Sequence, residues 1–222
     1  MNEGKKKVVV ITSGGLDSTV LYFYLEAEGY ECIPLNFHYG SKHNDIERAA
    51  AREIFGDKLV ELTIDLSFLK QSSLIASNNI DIPKGHYEDD NMKSTVVPFR
   101  NGIMMSYAAA IAEDINAYAI AIGNHFGDHS IYPDCRKSFA DPFAQAVKEG
   151  TYNNVEVLAP FTGIRKHEIV GIGKRLHIEE IMYKTYSCYE GGEKHCGVCG
   201  TCVERKEAFE LGGVIDKTEY YV

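Results

Sequence analysis

An apolar run that ends abruptly at two glycines is the feature that most constrains this fold. Residues 8–11 read Val-Val-Val-Ile, and Ser-Gly-Gly-Leu-Asp-Ser-Thr follows at positions 13–19. A continuous run of this kind is typical of a strand buried on both faces in a parallel sheet. The apolar residues from Val20 onward favour a helix. The segment therefore predicts a strand, a tight turn and a helix.

The turn has the chemistry of a phosphate-binding loop. Gly14 and Gly15 allow the backbone to turn sharply and approach a ligand, because neither has a Cβ. The N–H groups at the start of the helix attract an anion, and the loop hydroxyls add donors. The Asp17 carboxylate would repel a phosphate unless it binds Mg²⁺ or caps backbone N–H groups. An ordinary strand–turn–helix corner remains the alternative, since Gly-Gly and Asp-Ser are common in turns.

The loop lacks the two commonest nucleotide-binding patterns. The sequence contains neither Gly-x-x-x-x-Gly-Lys-Ser/Thr nor Gly-x-Gly-x-x-Gly, so the lysine that draws on a γ-phosphate is missing. It resembles instead the pyrophosphate loop, Ser-Gly-Gly-x-Asp-Ser-x, of the N-type ATP pyrophosphatases. This resemblance implies Mg²⁺-dependent cleavage of ATP between its α and β phosphates, with AMP transferred to a substrate oxygen. The ATP-binding residues that it implies are Ile11, Thr12, Ser13, Gly14, Gly15, Leu16, Asp17, Ser18, Thr19, Val20 and Leu21.

Length and charge narrow the class of protein. A chain of 222 residues is long enough for one α/β domain with a small appendage. Its net charge of -9 argues against an extended nucleic-acid surface and favours a small-molecule substrate. No apolar run approaches the length of a membrane span, and the lysine-rich start lacks a signal-peptide core. We therefore expect a cytoplasmic protein whose six cysteines stay reduced.

Strand-like and helical segments alternate along the chain. After the first strand, strands are predicted at 32–37, 59–64, 117–122 and 155–158, and helices at 45–55, 102–114 and 166–176. The polar segment 77–94 predicts a mobile flap. The alternation predicts a doubly wound, mostly parallel α/β sheet, like that of the adenine nucleotide alpha hydrolases, with ligands at the carboxyl ends of the strands. We assign an ATP-binding domain to 1–180 and a small cysteine segment with a helix to 181–222.

Four cysteines near the C-terminus form the second strong pattern. Cys196, Cys199 and Cys202 make a Cys-x-x-Cys-x-x-Cys run, and Cys188 lies upstream. Four thiolates can close a tetrahedral Zn²⁺ shell, which would make the metal structural because no position stays open for water. An iron–sulfur cluster and unliganded thiols stay open as alternatives. The segment 190–195 has little to bury, so we expect its folding to depend on the metal.

Three further segments point to one family. Residues 94–101 read Ser-Thr-Val-Val-Pro-Phe-Arg-Asn, residues 131–136 read Ile-Tyr-Pro-Asp-Cys-Arg, and residues 37–43 read Phe-His-Tyr-Gly-Ser-Lys-His. They resemble Val-Pro-Gly-Arg-Asn, Tyr-Pro-Asp-Cys-Arg and Phe-x-Tyr-Gly-Gln-Arg-His of the 7-cyano-7-deazaguanine synthases of the queuosine pathway. With the pyrophosphate loop and the cysteines, the resemblance spans residues 8–202.

This resemblance implies a ligase that acts twice on 7-carboxy-7-deazaguanine. The substrate carboxylate attacks the α-phosphorus of ATP, ammonia displaces AMP to form an amide, and a second adenylation and loss of AMP leave the nitrile. The residues implied for catalysis are Ser13, Asp17, Lys42, Arg100 and Arg136. Those implied for substrate binding are Arg100, Asn101, Tyr132, Asp134 and Arg136. We also expect a homodimer with one structural Zn²⁺ per chain.

The sequence departs from the family pattern around the substrate. Leu16 stands where the family usually has Gln, Phe99 where it has Gly, and the first cysteine gap is one residue shorter. The stretch 123–131, before the Tyr-Pro-Asp-Cys-Arg segment, differs as well. Three histidines are candidates to move protons: His43, His125 and His129.

Three rival functions stay open on the sequence. A tRNA thiolase of the same superfamily would need a persulfide cysteine or a cluster and a basic RNA surface, against which the acidic charge weighs. A nucleotide sensor would have kept the loop and lost the chemistry, although Asp17, Asp134 and Arg136 argue for turnover. A divergent synthase that stops at the amide, or uses another amine, stays open because the altered residues are those expected near the substrate.

Overall fold

A parallel sheet of five strands forms the centre of the computed structural model, which describes residues 4–86 and 90–222. The strands are β1 (Lys7–Ile11), β2 (Glu31–His38), β3 (Val60–Thr63), β4 (Ala119–Ala121) and β5 (Glu156–Leu158). They lie in the order β3-β2-β1-β4-β5, and all neighbours are parallel. The strand order reverses between β1 and β4, so the crevice outside their carboxyl ends is the expected ligand site. The predicted doubly wound sheet is confirmed.

Helices cover both faces of this sheet. Those of the described residues are α1 (Leu16–Ala27), α2 (Asn44–Phe55), α3 (Arg100–Asp114), α4 (Lys137–Gly150), α5 (Lys166–Arg175), α6 (Glu179–Met182) and α7 (Gly200–Leu211). Successive side chains of β1 point to opposite faces. Val9 packs in one core cluster with Ala108 of α3, and Val10 packs in the other with Leu21 of α1 and Ile169 of α5. The two clusters make a three-layer sandwich.

The helix α4 has no counterpart among the predicted segments. Its Pro142 lies inside the helix, where proline is usually unfavourable. Val147 is its one fully buried residue, and the side chains of Phe139 and Phe143 are half-buried against the same core. The sequence therefore gives little sign of this helix, and packing beside β5 stabilises it.

The polar segment predicted as a flap packs against the body where the structure describes it. Residues 87–89 lie outside the described residues. Met92 is buried, and the Gly85 N–H donates to the Val198 carbonyl at 3.2 Å. The Ser94 carbonyl accepts from the Ser73 N–H at 2.7 Å. The described part of this segment is thus attached to the cysteine segment and to the sheet domain.

The C-terminal segment shares the core of the sheet domain. The predicted boundary at residue 180 falls inside α6 (Glu179–Met182). Cys188 and Cys202 belong to the same core cluster as Phe37 of β2, and the Tyr186 N–H donates to the Gly14 carbonyl at 3.0 Å. Among the described residues, none of the helices has both the length and the hydropathy of a membrane span.

Candidate active site

The loop between β1 and α1 has a backbone that excludes side chains at Gly14. Its φ is +91°, and a Cβ there would lie 2.3 Å from the Glu47 carbonyl oxygen and 2.9 Å from the Ala51 nitrogen. The loop therefore packs directly on the α2 backbone. Within the described residues no side chain caps the start of α1 at Gly15. This leaves the first-turn N–H groups of α1 available to an anion, as a phosphate site requires.

Two other parts of the chain hold this loop in place. The Asn36 side chain on β2 donates from Nδ2 to the Thr12 carbonyl at 2.8 Å. On the other side, the Gly14 carbonyl accepts from the Tyr186 N–H at 3.0 Å. Because both contacts are made to main-chain atoms, they fix the loop backbone without occupying its hydrogen-bond donors.

A cavity lies beside the loop, at the carboxyl ends of β1, β2 and β4. The predicted site residues that line it are Ile11, Thr12, Ser13, Gly15, Leu16, Asp17, Ser18, Arg100, Asn101 and Tyr132. Those described residues that were predicted for the site and lie outside its lining are Gly14, Thr19, Val20, Leu21, Lys42, Asp134 and Arg136. Val20 and Leu21 are core residues, because α1 turns their side chains toward the sheet. Further lining residues were not singled out from the sequence: Tyr39, Glu47, Asn124, Lys166 and Tyr189.

Lys166 is the most consequential of these additional residues. Its Nζ lies 3.0 Å from Asp17 Oδ2 and 2.8 Å from Glu204 Oε2, and its side chain is 9% exposed. Burial lowers the pKa of Lys166, but the Asp17 and Glu204 carboxylates outweigh burial and raise the pKa well above its usual value. A lysine absent from the loop is therefore supplied, charged, by the first residue of α5. The sequence marked it only as the start of a predicted helix.

Asp17 has one oxygen paired and one unpaired. Oδ2 contacts Lys166, whereas Oδ1 is buried and has no hydrogen-bond partner among the described residues. A buried carboxylate oxygen without a donor is costly unless a ligand satisfies it. The hydroxyls of Thr12 and Thr19 are likewise buried and unpartnered there. Hard oxygen ligands suit Mg²⁺, which usually takes one or two carboxylates together with substrate phosphates.

His125 joins the charged cluster around Asp17. Its Nδ1 accepts from the Gly127 N–H at 3.1 Å, so the ring carries its proton on Nε2. Nε2 lies 3.6 Å from Glu204, 3.7 Å from Asp128 and 3.9 Å from Asp17. Burial lowers the pKa of His125, and the three carboxylates outweigh burial and raise it. Of the predicted proton carriers, this histidine lies nearest the loop carboxylate.

Three predicted site residues bind protein groups outside the cavity. Lys42 donates from Nζ to the Ile80 carbonyl at 2.6 Å. Asp134 Oδ2 accepts from the Asn101 N–H at 2.9 Å, at the start of α3. Arg136 is exposed, and its Nε donates to a main-chain carbonyl of the preceding loop at 2.8 Å. Of their partners, Asn101 lines the cavity.

Arg100 and Asn101 reach the cavity because α3 begins there. Arg100 donates from Nη1 to the Tyr39 hydroxyl at 3.1 Å, and Asn101 donates from Nδ2 to Cys135 Sγ at 3.0 Å. Tyr132 completes this wall through its hydroxyl, which is hydrogen-bonded to neighbouring hydroxyls. The predicted substrate residues Arg100, Asn101 and Tyr132 therefore line the same cavity as Lys166.

The four cysteines come together as the spacing predicted. One Sγ atom from each of Cys188, Cys196, Cys199 and Cys202 lies within 4.8 Å of the others. The Cys199 N–H donates to Cys196 Sγ at 3.2 Å, and the Cys196 N–H donates to Cys188 Sγ at 3.3 Å. Backbone donors aimed at sulfur stabilise thiolates. The donor set thus fits a tetrahedral metal ion.

Comparison with known proteins identifies the family. The family model described as "Queuosine biosynthesis protein QueC" matches residues 7–213. The chain belongs to this family. A 7-cyano-7-deazaguanine synthase of Porphyromonas gingivalis is 50% identical over 97% of this chain and 98% of the relative. A protein of the same name from Desulfotalea psychrophila is 43% identical over 96% of this chain and 98% of the relative. The resemblance predicted from the motifs is confirmed.

Among solved structures, the chain resembles a 4-thiouridine synthetase in complex with RNA and bound ATP. The TM-score is 0.48 at 20% identity, with 94% of this chain and 50% of that chain covered.

One departure from the QueC family pattern has a geometric explanation. Phe99 has φ +56°, in the left-handed region that a glycine adopts freely. Its ring lies over Gly102, where a Cβ would come within 2.5 Å of it, and stacks edge-on against Phe139 at 5.4 Å. Phe99 adopts this conformation directly before α3, which begins at Arg100.

Proposed function

We propose that this protein is a 7-cyano-7-deazaguanine synthase, which uses ATP to convert 7-carboxy-7-deazaguanine and ammonia to the nitrile. Family membership supports this activity. The observation that carries it in this chain is the Asp17 carboxylate, placed at the start of α1 with Oδ1 unpaired and with Lys166 3.0 Å from Oδ2. This arrangement suits a nucleotide whose phosphates bring Mg²⁺ to the loop.

The chain's contribution to the reaction is mainly positioning and charge stabilisation. The first-turn N–H groups of α1, with Ser13 and Ser18, would bind the phosphates that leave as pyrophosphate. Asp17 would hold Mg²⁺, and Lys166 would stabilise negative charge as the bond to the α-phosphorus breaks. Arg100 lines the same cavity and would hold the substrate carboxylate where it can attack the α-phosphorus. His125 would take up or release protons during amide and nitrile formation.

The cysteine cluster is proposed as a structural Zn²⁺ site. Its four sulfurs would fill a tetrahedral shell and leave no position for a substrate. Zn²⁺ here would supply folding energy to a segment with few apolar side chains and would take no part in the chemistry.

Ammonia as the nitrogen donor, a homodimer and a cytoplasmic location remain predictions from the sequence. Whether the protein forms a homodimer is tested by analytical ultracentrifugation, with and without substrates. The nitrogen donor is tested by supplying ¹⁵N-labelled ammonium and locating the label in the product.

The products of ATP distinguish this proposal from ordinary phosphoryl transfer. We expect AMP and pyrophosphate when the protein is incubated with Mg²⁺, ATP, 7-carboxy-7-deazaguanine and ammonium, with two ATP consumed per nitrile formed. Mass spectrometry of the base product separates acid, amide and nitrile. The variant Asp17→Asn should abolish turnover without unfolding the protein. Stoichiometric ADP and phosphate would contradict the proposal, and accumulation of the amide alone would favour the shortened reaction.

A further inference from the structure

We propose that Glu47 recognises the N–H edge of the deazaguanine base, and thereby selects the acid substrate. This inference rests on the proposed function, because it assigns a residue to the substrate of that reaction. Glu47 lies in the first turn of α2 and lines the cavity. The family resemblance implies Asp134, and not Glu47, as a substrate-binding carboxylate.

The carboxyl group of Glu47 has few hydrogen-bond donors around it in the part of the chain that the structure describes. Its side chain is 17% exposed, and its nearest basic neighbour is the imidazole of His43, whose Nε2 lies 3.7 Å away. Across the described residues it makes no hydrogen bond of the usual length. Burial raises the pKa of Glu47 to about 8, with Arg100 opposing that rise. A buried carboxyl group left without donors is unfavourable, so a ligand that supplies two N–H groups would be held firmly.

Arg100 presents the opposite charge to the same cavity. Its guanidinium donates to the Tyr39 hydroxyl at 3.1 Å and lies 5.7 Å from that ring's centroid. Over the part of the chain that the structure describes, no carboxylate lies within 4 Å of it. Among the described residues, Arg100 and Glu47 therefore line one cavity without forming an ion pair with each other.

This pair of groups matches the chemistry of 7-carboxy-7-deazaguanine. The base carries a carboxylate on its five-membered ring, and N1–H and the 2-amino group lie on the far edge of its six-membered ring. A carboxylate accepts two parallel N–H donors, and a guanidinium binds a carboxylate. Adenine presents an acceptor next to its amino group, so a carboxylate fits that edge less well. Glu47 is therefore assigned to the acid substrate and not to ATP.

Asp134 is already committed to the protein. Its Oδ2 accepts from the Asn101 N–H at 2.9 Å, and its side chain does not line the cavity. This contact places a carboxylate at the N-terminus of α3, where it favours the start of the helix. In this assignment Asp134 positions Asn101 and Arg100, and Glu47 reads the base.

The test compares three matched variants: Glu47→Gln, Asp134→Asn and Glu53→Gln. Glu53 lies on the same helix, is exposed and forms an ion pair with Lys184, so its variant is the control. Binding of 7-carboxy-7-deazaguanine and of an α,β-methylene ATP analogue with Mg²⁺ is measured separately by calorimetry. We expect Glu47→Gln to weaken binding of the acid about 10- to 100-fold and to leave the ATP analogue within about 2-fold.

A substrate analogue that lacks the 2-amino group sharpens the test. We expect 7-carboxy-7-deazahypoxanthine to bind the native protein about 10-fold more weakly than the natural acid, and to bind Glu47→Gln no worse than that acid does. The affinity of the native protein should also rise from pH 6 to pH 8, because binding ionises Glu47. The facing groups do not titrate in this range: His43 has its pKa lowered to about 4 by burial, and Arg100 stays charged.

Each outcome decides between the assignments. Equal loss of the acid and the ATP analogue in Glu47→Gln would overturn the inference, as would a selective loss confined to Asp134→Asn. An unchanged discrimination against the hypoxanthine analogue in Glu47→Gln would do the same. If the native protein neither binds the acid nor releases AMP and pyrophosphate, the proposed function itself fails, and this is seen before any variant is compared.

Discussion

A single buried lysine lies beside the loop, which lacks the lysine of a P-loop. Lys166 arrives from α5, about 150 residues after the loop, and it is held between Asp17 and Glu204. If Mg²⁺ takes the Asp17 carboxylate, Glu204 still retains the lysine beside the phosphates. Removing this buried cation would leave two carboxylates uncompensated, whereas removing one carboxylate leaves the lysine a partner.

Lys166→Met should therefore lower both activity and stability. A second substitution should restore stability but not activity, which separates the two effects. We expect a loss of about 100-fold or more in kcat/KM, as for the removal of one transition-state donor. The unpaired carboxylates should cost about 3–5 kcal/mol in the free energy of unfolding. The double variant Lys166→Met/Glu204→Gln should recover part of that stability and none of the activity. Thermal unfolding and steady-state kinetics measure both.

Lys174→Met is the matched control for this prediction. Lys174 lies on the same helix, is exposed and donates to the Gly213 carbonyl. Its variant should keep native kinetics and unfolding temperature. Activity of Lys166→Met close to native would show that the lysine is a structural ion-pair partner alone.

At the scale of elements, α7 connects the cysteine cluster to the nucleotide loop. The helix begins directly after Cys199, and its first turn contains Cys202. Glu204 follows two residues later. Arg205, fully buried, donates to the Thr185 and Ser187 hydroxyls. Anything that loosens the start of α7 therefore acts on Lys166 as well.

Cys199→Ser should remove the metal and weaken the protein. We expect the native chain to contain one Zn²⁺ by elemental analysis, and the variant to contain far less and to be less soluble, because the segment loses the ligand that organises it. Cys32→Ser is the control, since Cys32 is a buried thiol of β2 outside the cluster. A brown protein with iron and sulfide would contradict zinc and would reopen the thiolase interpretation.

At the scale of the whole molecule, one core contains both the sheet and the cysteine segment. Cys188, Cys199 and Cys202 lie in the same cluster as residues of β1, β2 and α3. The second cluster, on the other face, draws instead on α1, α5 and α7. Loss of the metal should therefore disturb the face of the sheet that carries the cysteine cluster more than the opposite face.

Hydrogen exchange can measure that difference. After chelation of the metal, we expect the amides of 188–199 and of the first turn of α7 to lose protection. The amides of β1 and β4 should keep their protection, because helices bury the sheet on both faces. The cysteine segment can open locally without opening the sheet. The comparison is the untreated protein under the same conditions. A uniform loss of protection, including β1, would show that the chain unfolds as one unit without its metal.

Much of the fold could be predicted because its signals are local. The apolar run before Gly14 identified β1, the spacing from Cys188 to Cys202 identified the metal cluster, and the alternation of segments identified a parallel sheet. The predicted strands and helices agree with the structure to within two residues at almost every end. Local chemistry also led to the family, since the pyrophosphate loop is contiguous in sequence.

The site could be predicted only where its residues are contiguous. Asp17 and its loop follow from the sequence alone, because turn geometry and helix N-terminal donors are properties of neighbouring residues. Helix packing brings three further residues close to that loop: Lys166, Glu204 and Glu47. The hydrophobic periodicity of the sequence does not predict this packing. Asp134 is a predicted substrate-binding residue, and only the tertiary structure shows its carboxylate accepting from the Asn101 N–H. The sequence by itself determined the chemistry of the loop and the metal ligands, whereas folding decided which charges face the cavity, because burial and pairing depend on elements far apart in the chain.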